Sequence, residues 1–188
     1  MLPEEHSEEM NQNPIEKEKP TAYRVNLPYP KPVIIECNKK WASLLLEDYA
    51  GNASELTAIL QYIYGDFVLC DQMPHIAKAL KCIAIVEMGH LELLAGVIHD
   101  LGTNPKYQTT SMRGADKNWT PDFLCYYKDV GSVLLNNIDA ETKSIAQYKS
   151  HVRKIDHAQI KELLLRIIMD EELHVAILKD LYHQYTKK

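Results

Sequence analysis

The residues of this chain best suited to chemistry are two Glu-x-x-His pairs, Glu87 with His90 and Glu171 with His174. On a helix, residues three apart share a face, so each glutamate and its histidine project together. Steps of alternating four and three residues around the first pair read Ile76, Leu80, Ile83, Glu87, His90, Leu94, Val97, Leu101. Around the second they read Ile160, Leu164, Ile167, Glu171, His174, Leu178, Leu181, Tyr185. Both rows are apolar seams that would face a core, and both are interrupted at the same phase by acid and imidazole. Two more glutamates stand in a matched setting. Glu55-Leu-Thr-Ala-Ile-Leu-Gln-Tyr62 agrees with Glu141-Thr-Lys-Ser-Ile-Ala-Gln-Tyr148 at Glu, Ile, Gln and Tyr. The order Glu, Glu-x-x-His, Glu, Glu-x-x-His is an internal two-fold repeat, offset by 86 residues for the lone glutamate (55 to 141) and 84 for the pair (87 to 171).

Four carboxylates and two imidazoles in one core need compensation, because an unpaired buried carboxylate costs several kcal/mol. No Lys or Arg stands on these seams. Two divalent cations would balance four negative charges. Oxygen-rich ligation with one imidazole per ion suits iron or manganese better than zinc. Six protein ligands also underfill two six-coordinate ions, which leaves positions for oxygen, peroxide or water. A single Glu-x-x-His is commonplace on helices; two in equivalent phase beside two matched Glu-x6-Tyr segments are not. Tyr62 and Tyr148 read either as core tyrosines with satisfied hydroxyls or as partners of metal-bound carboxylates able to relay protons. Asp170 reads either as an exposed helix acid or as the group that orients a histidine across the bundle. Glu47, Glu92 and Glu172 lie off the seams and are expected in solvent. His6, His75, His99, His151, His157 and His183 lack partner spacing and are expected at the surface or at caps.

The elements that must carry these residues are helices. Periodicity predicts segments over Asn38 to Leu69, Pro74 to Leu101, Asp139 to Ile155 and Ala158 to Tyr185, with Gly102 stopping the second. Between the second and third, Thr103 to Ile138 holds Pro105, Gly114, Pro121 and Gly131, with a short helix expected near Phe123 to Tyr127. Trp119, Tyr126 and Tyr127 are expected to pack this connection down. The expected fold is all-α: a four-helix bundle with a long crossover between helices 2 and 3, the ferritin-like arrangement.

Composition narrows the rest. Across 188 residues, 46% hydrophobic and 25% charged side chains are ordinary globular values, and no GxGxxG, GxxxxGK or GxSxG occurs. A net charge of -5 argues against a nucleic-acid partner. No run of about 18 apolar residues suggests a membrane span, and the acidic N-terminus does not read as a secretory signal. Cys37, Cys70, Cys82 and Cys125 form no CxxC, so they read as free thiols in a reducing cytoplasm. Six of the nine prolines fall within the first 32 residues, and residues 1–20 carry a net charge of -4 (six acidic, two basic). We divide the chain into an acidic, Pro-rich arm, residues 1–34, and a bundle, residues 35–188. Residues 1–20 are expected to be solvated and Thr21-Ala-Tyr-Arg-Val-Asn-Leu-Pro-Tyr-Pro-Lys-Pro-Val33 to lie extended on the body.

These residues resemble the ferritin-like di-metal carboxylate superfamily, on its rubrerythrin and manganese-catalase side. Leu44-Leu-Leu-Glu-Asp-Tyr-Ala-Gly51 with Ser54-Glu-Leu-Thr-Ala-Ile59 is similar to the first helix of such proteins. Ile85-Val-Glu-Met-Gly-His-Leu-Glu-Leu-Leu94 and Asp170-Glu-Glu-Leu-His174 are similar to the second and fourth. The likeness covers about residues 35–185. It implies Glu55, Glu87, His90, Glu141, Glu171 and His174 as ligands of two iron or two manganese ions, two of the glutamates bridging. The CxxC-bearing module of rubrerythrins proper is missing from the sequence, so peroxide reduction would require an external electron donor. The short closing helix of classical ferritin cages is also missing.

The expected function is a cytoplasmic di-iron or di-manganese oxidoreductase acting on hydrogen peroxide, by reduction or by catalase-type dismutation, in a homodimer. The alternatives are a ferroxidase or iron-binding protein with oxygen as oxidant, and a structural or interaction bundle with a stabilising metal site.

Overall fold

A computed structural model describes residues 20–110 and 115–187. The expected solvated arm over 1–20 therefore lies almost entirely outside the described residues. Five helices carry the fold: α1 (Lys39–Ala50), α2 (Glu55–Leu69), α3 (Pro74–Asp100), α4 (Val130–Lys154) and α5 (Ala158–Thr186). The bundle is built from α2 to α5. Helix α3 is long and apolar enough, by length and composition alone, to cross a bilayer. Half of that stretch is buried in the bundle, where it presents Glu87 and His90.

Two expectations about helix ends are corrected. Asn38 to Leu69 is two helices, not one. Asn38 caps α1 by accepting from the Trp41 N–H at 3.0 Å, and Ser54 caps α2 by accepting from Thr57 N–H at 3.3 Å. Between them Gly51 donates its N–H to the Glu47 carbonyl, and a Cβ there would stand 2.5 Å from that oxygen. Helix α1 thereby leaves the bundle axis and packs Ala42, Leu45, Leu46 and Tyr49 against Leu94, Ile98, Leu101 and Ile160. The other correction concerns the third bundle helix, which starts at Val130, nine residues earlier than Asp139. Asp129 is its cap, accepting from Ser132 N–H at 2.8 Å, and Gly131 simply runs on within the helix.

The crossover is correspondingly shorter. It contains two short antiparallel strands, β1 (Gln108–Thr110) and β2 (Asp116–Asn118), paired Gln108 to Asn118. Residues Pro121–Phe123 form a single 3-10 turn, and no helix follows over 124–128. Trp119 anchors this connection by donating Nε1–H to Thr57 Oγ1 at 3.0 Å. Tyr126 meets Tyr64 edge-on at 5.1 Å but is itself mostly exposed, as is Tyr127. At the end of α3, Gly102 has φ +80°, its N–H reaches the His99 carbonyl, and Thr103 N–H reaches Ile98. This is the left-handed helix stop that glycine permits without strain.

Two apolar clusters fill the interior. One joins α1 to the C-terminal half of α3 and the start of α5. The other joins α2 to the N-terminal half of α3, the start of α4 and Leu178. Between them lies a polar layer formed by Glu55, Glu87, His90, Glu141, Glu171 and His174, all buried.

Candidate metal centre

All six residues singled out by spacing converge. Their ligand atoms form two overlapping groups, Glu55, Glu87, His90 and Glu171 in one, and Glu87, Glu141, Glu171 and His174 in the other. Glu87 and Glu171 are common to both groups, which is where bridging carboxylates would stand. Each half has one further glutamate and one histidine. The halves match closely in dimension: His90 Nδ1 lies 2.9 Å from Glu87 and 3.1 Å from Glu171, and His174 Nδ1 lies 2.8 and 3.2 Å from the same two carboxylates.

The histidines are held from behind. His90 Nε2 is 3.1 Å from Asp170 Oδ2, and His174 Nε2 is 2.9 Å from the Tyr23 carbonyl. With Nε2–H donating outward, Nδ1 is the nitrogen that would face a metal held by the carboxylates. Of the two readings of Asp170, the structure has the buried one, with its carboxylate facing His90 of α3. It also accepts from the Tyr29 hydroxyl and the Val25 N–H, both at 2.6 Å, and pairs with Arg166 at 2.8 Å. These donors outweigh burial and bring its carboxyl down to about 2.

Segment 23–29 had been expected only to lie along the body. It runs over the gap between α3 and α5 and backs both histidines. The buried guanidinium of Arg166 fixes it, donating to the carbonyls of Val25 and Leu27 and stacking 4.5 Å from the Tyr29 ring. Arg166 and Tyr29 were missed in the sequence. The available signal was Arg166 standing one turn before Asp170; nothing local to Tyr29 pointed to the centre.

Tyr62 and Tyr148 are both fully buried, and their partners cross over between repeats. Tyr62 donates to Glu141 and Tyr148 donates to Glu55. Burial first, and then the facing carboxylates, hold both phenols well above their usual range. His151 is a correction: it is 1% exposed rather than at the surface, and its Nδ1 lies 2.8 Å from buried Asp48 Oδ2. Glu47, beside it at 3.4 Å, is only partly in solvent. Glu172 is exposed, as expected, and pairs with Lys149; Glu92 is exposed too, and His157 is the cap of α5.

The centre's electrostatics fit two divalent ions. Burial, reinforced by Glu87 and Glu171, pushes Glu55 and Glu141 well above the usual carboxylate range. Burial also opposes ionisation of Glu87 and Glu171, but the two histidines override it and pull both below that range. His90 and His174 are raised in turn, their burial outweighed by the surrounding carboxylates. Four buried carboxylates carry up to four negative charges, which two divalent cations would balance. Glu87 Oε1 and Glu171 Oε1 are buried, and their near neighbours include His174 Nδ1 at 2.8 Å and His90 Nδ1 at 3.1 Å, nitrogens that belong to the same ligand groups. The donor set fits the group.

Comparison with known proteins agrees. The manganese-containing catalase family matches residues 23–118, which include Glu55, Glu87 and His90. A probable manganese catalase of Clostridium acetobutylicum is 23% identical over 160 residues, covering 76% of this chain and 70% of its own. KatB, a manganese catalase from Anabaena, superposes with a TM-score of 0.75 at 25% identity, covering 87% of this chain and 81% of KatB. A Desulfovibrio desulfuricans bacterioferritin with a diiron site gives a TM-score of 0.63 at 26% identity, covering 79% of this chain and 81% of that one. With that match running over more than half its length and the same fold enclosing its carboxylate-histidine cluster, this chain belongs to the manganese-containing catalase family.

Proposed function

We propose that this protein is a dinuclear manganese catalase that converts two molecules of hydrogen peroxide into two of water and one of dioxygen. The carrying observation is the buried, two-fold symmetric cluster in a chain of this family. Glu55 with His90 would hold one ion and Glu141 with His174 the other, Glu87 and Glu171 joining them. When bound, the pair of ions supplies the two-electron change that dismutation requires.

The chain's own residues do the rest. Asp170 and the Tyr23 carbonyl keep both imidazoles in the ligating tautomer. The apolar clusters on either side keep bulk water from the centre. Protons lost by one peroxide and gained by the next need a store, and the Tyr62 hydroxyl on Glu141 is a buried donor and acceptor pair suited to it. Dismutation draws electrons only from its substrate. The match to the manganese-containing catalase family and to a probable manganese catalase favours this reading over donor-dependent peroxide reduction. The free thiols fit a cytoplasmic setting.

Metal analysis followed by an oxygen-electrode assay tests the proposal. We expect about two manganese ions per chain and oxygen release from peroxide without added reductant. Peroxide consumption that depends on a reductant would overturn it. The likeness to a diiron bacterioferritin favours a second reading, ferroxidase activity; iron bound in preference to manganese, with rapid oxidation by dioxygen, would select it.

A further inference from the structure

The internal repeat breaks behind the histidines. Moving back from Asp170 by the 84 residues that relate the two Glu-x-x-His pairs (171 to 87) gives Val86, and the same step from Arg166 gives Cys82. Helix α5 thus carries a carboxylate and a guanidinium where α3 carries a valine and a cysteine, and all four are buried. We propose that Asp170, held in place by Arg166 and Tyr29, makes the ion at His90 and Glu55 the more firmly retained of the two. The ion at His174 and Glu141, which has no such carboxylate behind it, is the first to leave and the last to load. The inference rests on the dinuclear reading above and adds an order of loading and loss to it.

Asp170 reaches from α5 to α3, its Oδ2 lying 3.1 Å from His90 Nε2. The Tyr29 hydroxyl donates to the same oxygen at 2.6 Å. The other oxygen, Oδ1, takes the Val25 N–H at 2.6 Å and Arg166 at 2.8 Å. Arg166 is in turn tied to the carbonyls of Val25 and Leu27. A carboxylate held on both oxygens cannot turn away from the imidazole it faces. Behind His174 the acceptor is the backbone carbonyl of Tyr23, 2.9 Å from Nε2. An anionic acceptor draws the Nε2 proton more strongly than a neutral carbonyl does, and the opposite ring nitrogen becomes the better donor to a cation.

The ligand set itself does not separate the two ions. Nδ1 of His90 and Nδ1 of His174 stand at matching distances from the shared carboxylates. Tyr148 donates to Glu55 as Tyr62 donates to Glu141. The contrast is therefore one charged acceptor against one neutral acceptor. Losing an outer partner of a metal-bound histidine typically costs about 10- to 100-fold in affinity, and the two ions should differ on that scale. The cavity beside Glu141 would also favour loss from that half, so the test must separate the two causes.

Manganese release into excess EDTA separates them. The loaded protein should give two phases, one for each ion, whose rates differ by about tenfold or more. Asp170→Asn keeps the shape of the side chain and removes its charge. It should speed the slow phase by about tenfold or more and leave the fast phase unchanged. Acceleration of both phases alike, as a general loosening of the bundle would give, overturns the inference. So does acceleration of the fast phase alone, or of neither. Crystals of the unaltered protein loaded with one manganese per chain give a reading that needs no variant. Anomalous scattering should place the ion beside His90, and equal occupancy or an ion beside His174 would count against the assignment. Absence of oxygen release from the fully loaded protein would overturn the catalase reading while leaving both metal measurements valid.

Discussion

The two halves of the centre, Glu55 with Tyr148 and Glu141 with Tyr62, are alike in sequence and in ligand geometry but have different neighbours. Behind the first stands α1, with the buried Asp48–His151 pair and Gln147. Behind the second stands a cavity of mixed polar and apolar lining, with Gln61 turned to the crossover. Homologous glutamines thus serve opposite purposes, one closing a wall and one holding a wall back. A repeated ligand set fixes what can be bound. The unrepeated elements around it, α1 and the crossover, decide what stands behind each half.

The largest expected effect treats both halves alike. Glu87 and Glu171 belong to both ligand groups, so Glu87→Ala or Glu171→Ala should remove both ions and abolish peroxide turnover, read by metal analysis and oxygen release. Turnover surviving in either variant would break the shared-ligand description.

Next comes the pH dependence of loading. Glu55, Glu141, His90 and His174 are all raised, so each holds its proton to higher pH than usual and metal must expel it. Affinity should rise with pH, and loading should release protons, counted by titration calorimetry in buffers of different ionisation enthalpy. Glu55→Gln and Glu141→Gln should each lower that number by about one; a drop in only one variant would mean that the halves already differ at the ligands.

The tyrosines sharpen the comparison further. Tyr62→Phe, on the cavity side, should lower kcat by about 10- to 100-fold, at the lower edge of general acid–base contributions. Tyr148→Phe should change it by less than about threefold and act instead on metal retention. Equal losses of kcat would mean that the different surroundings of the two tyrosines do not bear on turnover.

The smallest effects fall outside the centre and are read as stability. His151→Ala leaves buried Asp48 with the Gln147 amide but without its imidazole partner and should cost about 2–4 kcal/mol in denaturant unfolding. Gln61→Ala, which frees part-buried Cys125 backbone groups, should cost about 1–2 kcal/mol. The reverse order would mean that the crossover, not α1, is the firmer wall.

What could be read in advance follows from periodicity. The seams of α3 and α5 are regular over many turns, so their Glu-x-x-His interruptions were legible, and α4 contributed Glu141 in phase. The break between α1 and α2 was not foreseen, although Gly51 and Ser54 carry stop and cap chemistry, because the row Trp41, Leu45, Asp48, Asn52, Glu55, Ile59 is already polar there and offers no apolar phase whose loss would mark a break. The early start of α4 was hidden by Gly131, which a helix tolerates at modest cost. His151 offered no spacing cue, since its partner Asp48 is over a hundred residues away in the chain.

The sequence by itself determined the ligand inventory, the helical faces carrying it and the charge that two cations would balance, since local spacing and electroneutrality suffice for these. Tertiary structure alone decided that Tyr62 serves Glu141 and Tyr148 serves Glu55, that Tyr23, Tyr29 and Arg166 back the histidines, and that one half meets a cavity. The physical reason is distance along the chain: each of these contacts joins segments tens to hundreds of residues apart, whose meeting depends on how the helices pack and leaves no period in the sequence.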